Sequence, residues 1–218
     1  MSNQLRASRR LVKLATDGTE PLANFARAAV IYDELASSEK NLRDSAYFYS
    51  RAAFCYSVIS TLSAKSDFEY NSSEAALKYA IAASKYFEYS KVRQRTEGVL
   101  AAVDTLEIAG NTYYESGVLA SLDYNPLSAS SFANSAGCFI RAACYLRALD
   151  LLYFDSDHQS IICDLLHLSR RSLDRVDRIG AVRGSKISFK DRFDKALEDG
   201  SFEDLFVMAS RELTFSVV

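Results

Sequence analysis

Tyr49-Ser50-Arg51-Ala52-Ala53-Phe54-Cys55-Tyr56 sets two aromatic residues around a pair of alanines, and the same unit recurs along the chain. Phe25-Ala26-Arg27-Ala28-Ala29-Val30-Ile31-Tyr32 precedes it, and Tyr79-Ala80-Ile81-Ala82-Ala83-Ser84-Lys85-Tyr86 follows. A fourth copy, Phe139-Ile140-Arg141-Ala142-Ala143-Cys144-Tyr145, brings its last aromatic one residue early. Three copies add a small residue four positions before the first aromatic: Ser45, Ala75 and Ser135. Residues four and seven apart share one face of a helix. Small residues there form a shallow groove that lets a second helix approach closely, while the aromatics fill the gap beside it. The unit therefore predicts paired helices, with Ala52, Ala82 and Ala142 buried where they cross.

Composition points the same way. The chain has 218 residues with only two prolines and eight glycines, well below the usual 5% and 7% or so, so few positions can break long helices. Apolar residues make up 49% and charged residues 25%, against a net charge of -2, which excludes a disordered chain. No stretch approaches the roughly 18 apolar residues of a membrane span. Apolar periodicity predicts helices near 3–16, 21–38, 41–65, 72–92, 97–120, 128–154, 157–182, 188–199 and 202–214. Pro21 suits a first helical turn, Asn71-Ser72-Ser73-Glu74 offers a cap, and Ser188 and Ser201 open near-capping boxes. Gly184 and Gly200 are the expected stops. A break is also expected within Lys91–Thr96, because one helix of about fifty residues is unusual in a globular domain.

Three regions follow from these patterns: an N-terminal helix in 1–20, Ala/Tyr-rich helical repeats over 21–153, and a C-terminal helical region over 154–218. All thirteen tyrosines lie between Tyr32 and Tyr153, and the last region is charged and Leu/Ile-based. Arg6, Arg9, Arg10 and Lys13 with no acid before Asp17 give the first residues the look of a transit peptide. Lys13 interrupts the only apolar patch, so this segment reads as an amphipathic helix docked through Leu5, Leu11 and Val12. Cys55, Cys138, Cys144 and Cys163 sit in apolar helical stretches with no CxxC pair. They read as reduced, buried thiols of a cytoplasmic protein.

One further stretch, Leu106-Glu107-Ile108-Ala109-Gly110-Asn111-Thr112-Tyr113-Tyr114-Glu115-Ser116-Gly117, resembles the first helix of a tetratricopeptide repeat, and the aromatic-Ala-Ala copies look like that family's second helix. The Tyr- and Ala-rich helices are also similar to repeat adaptors of the soluble NSF attachment protein type. The hallmark Trp and the inter-repeat Pro are missing, and Tyr49 to Tyr79 spans 30 residues rather than 34. The resemblance implies an all-α fold: an antiparallel helical-repeat array of TPR-like α-solenoid form, with a C-terminal helical cap. It also implies a non-enzymatic scaffold or adaptor that binds a partner peptide or helix.

Chemistry is sparse. Cys163 and His167 stand four apart on one helix face near Asp155, Asp157, Asp164 and His158, and the rival reading is an enzyme or metal-dependent protein built there. Two ligands on one face leave a tetrahedral shell incomplete, so no metal and no cofactor is expected. Gly180 to Lys186 lacks the spacing and ending of a phosphate loop. Partner contact is expected from Tyr47, Tyr70, Tyr89, Tyr114 and Tyr124, amphipathic rings off the small-residue face. Arg171, Arg175 and Arg178 form a second candidate, a basic stripe at i, i+4 and i+7 within residues 170–195, which carry nine basic against four acidic residues. Asp174 and Asp177 on the flanking face can absorb part of that charge. Nucleic acid is disfavoured by a pI near 5.8, and the sequence leaves self-association open.

Overall fold

Helix ends in this chain are set by short local signals, and a computed structural model shows how they are used; it describes residues 3–63, 65–93, 96–122, 127–152, 158–182, 188–211 and 213. The first helix, α1 (Asn3–Thr16), stops before Gly18, whose φ of 86° suits a residue without Cβ. Pro21 begins α2 (Pro21–Ser38), and Asn41 caps α3 (Leu42–Leu62) by accepting from the Arg43 amide at 3.0 Å. Next come α4 (Lys65–Arg93), α5 (Thr96–Leu122), α6 (Leu127–Leu152) and α7 (Gln159–Val182). Ser188 caps α8 (Phe189–Glu198), accepting from the Asp191 amide at 3.0 Å, and Asp177 of α7 accepts from the Phe189 and Lys190 amides. Gly200, at φ 66°, separates α8 from α9 (Phe202–Arg211), and Ser201 accepts from the Asp204 amide. Among the described residues there is no strand, and no helix is long and apolar enough to cross a membrane.

One predicted start is corrected. The fourth helix begins at Lys65 rather than 72, so Asn71 and Ser72 lie inside it. Asn71 donates its side-chain amide to the Asp67 carbonyl four residues back (2.8 Å), and Ser72 is buried. Cap-type residues can satisfy themselves inside a helix in this way, and neither Gly nor Pro interrupts residues 65–72. The expected break within 91–96 falls on residues 94 and 95, which lie outside the described residues; α4 is described to Arg93 and α5 from Thr96. Close packing of the start of α5 on α4 depends on Gly98: a Cβ there would lie 2.8 Å from the Ser90 Cβ. Gly184 lies outside the described residues.

The chain forms two compact units, Met1–Thr105 and Leu106–Val218. In the first, α1 packs on α2, α2 on α3 and α3 on α4. Phe25, Ala28, Ala29, Tyr32 and Leu35 of α2 meet Phe48, Ala52, Cys55 and Ile59 of α3, and Leu5, Leu11 and Val12 dock from α1 as expected. Ser45 donates across the α2–α3 crossing to the Ala36 carbonyl (2.8 Å). The repeat alanines behave as their spacing demands: Ala52, Ala82 and Ala142 are completely buried, as are Ala53, Ala83 and Ala143.

In the second unit, α6 is the centre. Its Phe139 and Phe132 seat against Gly110 and Gly117 of α5, where an added Cβ would come within 2.7 Å and 3.0 Å of the respective rings. This explains why the stretch ending in Gly117 carries two glycines seven apart. On the other side, Phe132, Ala133, Ala136 and Ile140 share a core with Leu173 and Val176 of α7, Phe193 of α8, Leu205 and Met208 of α9, and Leu213. The C-terminal helices thus cap the apolar face of α6, giving an all-α array of sequentially packed helices. Residues on both sides of 154 belong to this unit.

Candidate protein-binding surface

Arg43, Tyr47, Arg51 and Phe54 fall at i, i+4, i+8 and i+11 of α3 and so occupy one side of that helix. Tyr47 and Phe54 are each 38% exposed, large for aromatic residues of a packed array. Tyr47 stands edge-on to Phe48 (5.6 Å), and Phe54 edge-on to the buried Phe25 (6.3 Å). Between them the Arg51 guanidinium lies 5.0 Å from the Phe54 ring centre and 6.0 Å from that of Tyr32. Its Nε is buried without a hydrogen-bond partner, and among the described residues no carboxylate pairs with it. An unmet buried donor costs about 1–3 kcal/mol, while a partly exposed cation–π contact returns only about 0.5–1 kcal/mol. Arg51 is therefore left with hydrogen-bonding capacity that the chain does not use.

The α4 residues on this side are Tyr79 and Tyr86. Burial pushes both phenols up; Arg51 works against it at Tyr79, and a Ser50 hydrogen bond and Arg43 do so at Tyr86. Burial likewise takes the Cys55 thiol up to about 12, against the pull of Arg51.

The opposite side of the same helices carries an internal ion pair, beside which the Asp33 Oδ1 is itself buried without a hydrogen-bond partner. Asp33 of α2 and Lys78 of α4 meet across α3 at 3.0 Å, and Lys78 lies 5.9 Å from the Tyr49 ring centre. Burial, then the charges of Asp33 and Glu74, push the Tyr56 phenol up to about 12. Tyr70 stands beside Tyr56 on this side, 68% exposed. Tyr89 is half-buried further along α4, roughly 28 Å from Tyr70 at 1.5 Å per residue. Tyr47 therefore lies on the Arg51 side and Tyr70 on the Tyr56 side, while Tyr89 is three residues beyond Tyr86 on α4.

In the second unit the two predicted sets meet at one point. Arg171 of α7 covers the Tyr114 ring at 4.8 Å, and that ring stands edge-on to the buried Phe132 at 5.2 Å. Tyr114 is half-buried with its hydroxyl enclosed, which makes it more a packing residue than a free contact. Arg178 pairs with Asp174 (2.7 Å), and Arg175 is exposed. Asp177 is occupied at the start of α8, where it also accepts from the Ser188 hydroxyl (2.7 Å). Tyr124 lies outside the described residues. Between α8 and α9 a groove of about 400 Å³ is lined by both signs of charge, Arg192 and Lys195 with Asp199 and Asp204.

The expected burial of Cys163 needs correction. This thiol is exposed, because the buried stripe of α7 runs through Ile162, Leu165, Ser169 and Leu173, and Cys163 is one residue out of phase. His167 is exposed one turn on, whereas His158 is held by Asp150 (Nδ1 to Oδ1, 2.6 Å). Among the described residues no three His, Cys, Asp or Glu side chains converge on a metal-sized site. Cys55 and Cys138 are buried and Cys144 is half-buried: burial pushes Cys138 up to about 11 and Cys144 to about 12.

The sequence had offered Tyr47 but not Arg43, Arg51 or Phe54. The signal was within the repeat itself, which puts Arg third in three of its four copies, at Arg27, Arg51 and Arg141. Their surroundings differ. Arg27 is exposed, and Arg141, which lies beside Gly137, has its Nε buried without a hydrogen-bond partner as Arg51 does.

No protein-family model and no curated protein matches this sequence. A solved structure, the DHF79 filament, has a TM-score of 0.54 over 99% of this chain and 94% of its own, at 14% identity, and so is similar in fold.

Proposed function

We propose that this protein is a non-enzymatic scaffold of tetratricopeptide-like construction that binds a peptide or helix of a partner protein along the α3–α4 side bearing Tyr47, Arg51 and Phe54. The observation that carries this reading is the coincidence of two exposed aromatic rings with a half-buried, unpaired guanidinium on one helix face. Aromatic residues and arginine are the side chains that dominate protein interfaces. On the other side of the same helices Asp33 and Lys78 are paired with each other, which lowers the value of those two charges as contacts.

The test is co-purification from the native host, quantified by mass spectrometry, comparing the unmodified chain with a Tyr47→Ala/Phe54→Ala variant. A specific partner should fall at least ten-fold in the variant while its helical circular dichroism is unchanged. A partner recovered equally by both would move the contact elsewhere, with Arg171, Arg175 and Arg178 the next surface to change.

A further inference from the structure

We infer that the outer face of α1 docks by charge on an anionic phospholipid surface, a contact separate from the α3–α4 side. At the helical turn per residue, Arg6, Arg9, Arg10 and Lys13 fall within about 100° of arc, opposite the buried Ser8 and Ala15. All four are exposed, while Leu5, Leu11 and Val12 of the same helix are packed against the core of the first unit. The four cations span about 10 Å of helix. This arrangement opposes the helix that carries it. Arg6 and Lys13 each stand three or four residues from both Arg9 and Arg10, spacings at which like charges destabilise a helix. Arg6 also lies in the first turn, where the helix dipole disfavours a cation. No acid occurs within α1 to offset this, and among the described residues no carboxylate pairs with Arg6, Arg10 or Lys13. The next acids in sequence, Asp17 and Glu20, follow the helix and are themselves exposed. An external array of negative charge therefore relieves a repulsion that the chain leaves in place.

The kind of anion follows from what α1 lacks. It has no Phe, Tyr or Trp, whereas protein interfaces are anchored by buried aromatic and apolar side chains, and exposed ion pairs one by one contribute little. Single-stranded nucleic acid is held by stacking on such rings, and the chain's excess of acids, 28 against 26 basic residues, opposes a long polyanion. An anionic bilayer needs neither anchor nor pocket. Each cation within its surface potential strengthens binding roughly five-fold, so four on one face act together. Because the apolar stripe of α1 is engaged in the core, the helix rests on the headgroups without inserting.

The test is co-sedimentation of the full chain with vesicles of phosphatidylcholine containing about 30% phosphatidylserine, beside vesicles of phosphatidylcholine alone, at about 50 mM salt. The chain should bind the first and not the second, and about 500 mM salt should release it. Arg6→Gln/Arg10→Gln/Lys13→Gln should weaken binding about 100-fold with helical circular dichroism unchanged. Lys40→Gln/Lys91→Gln/Lys195→Gln, which removes three exposed cations outside α1, should change it less than about two-fold. If the α1 triple variant loses helix, Arg10→Gln alone, expected to weaken binding about five-fold, decides. No binding to the phosphatidylserine vesicles, or an equal loss in the two triple variants, would overturn the assignment. So would release from the vesicles by duplex DNA or poly-Glu at equal anionic charge, which would make that polyanion the occupant.

Discussion

Gly110 shows how one missing Cβ positions a helix pair. An alanine there gains up to about 1 kcal/mol in helix propensity, but its Cβ would stand 2.7 Å from the Phe139 ring, and overpacking of this kind costs about 1–3 kcal/mol. Gly110→Ala is therefore expected to lower stability in urea unfolding. Phe139→Leu should be less damaging in that background than alone, since the two changes share one contact. The thiols give a second residue-scale prediction. Cys163 should react with a thiol reagent such as DTNB in the native protein at pH 8, whereas Cys55, Cys138 and Cys144, held up at about 11 to 12, should react only on unfolding. Ala52, Ala82 and Ala142 were legible in the sequence because small residues in a repeated register have one plausible use. The exposure of Cys163 was not, since a phase error of one residue, 100° on a helix, exchanges inside for outside. Arg51 stood in plain view in the repeat, but its lack of a partner depends on which side chains other helices bring near it.

At the scale of elements, long polar side chains tie neighbouring helices together. Lys78 and Asp33 are each about four-fifths enclosed, and hydrogen bonds to charged groups contribute about 1.5–3 kcal/mol. Lys78→Met should therefore destabilise the chain by roughly that amount in denaturant melts, with Asp33→Asn adding little once Lys78 is gone. Asp194 of α8 meets Lys190 and Arg170, both at 2.9 Å. Burial works against its charge, but those two partners hold its carboxyl below the ordinary 3.8. A carboxylate with a depressed folded value stabilises above the unfolded one and loses that contribution as pH falls through the folded one. The melting temperature of Asp194→Asn should thus lie below that of the unmodified chain at pH 7, and the gap should close as pH falls below 3.8. Helix ends marked by Pro21, Ser188, Ser201 and Gly200 could be read from the sequence because each has a local cause. The start of α4 could not, because Asn71 bonds backwards inside the helix as readily as it would cap one.

Across the whole molecule, the all-helical array was legible from composition and repeat, and no aligned family was needed to reach it. Which face remains available was not legible, because it depends on what the chain has already paired within itself. Asp33 and Lys78 are paired with each other on one side, while the Tyr47–Arg51–Phe54 side keeps two part-exposed rings and a guanidinium with no carboxylate partner among the described residues. The central claim is that partner contact occurs there. Hydrogen–deuterium exchange of the full chain, alone and with its co-purified partner, tests it most directly. Slower exchange should be confined to residues 43–54 of α3 and 79–86 of α4. Protection confined to residues 171–178 of α7, with α3 and α4 unchanged, would contradict it.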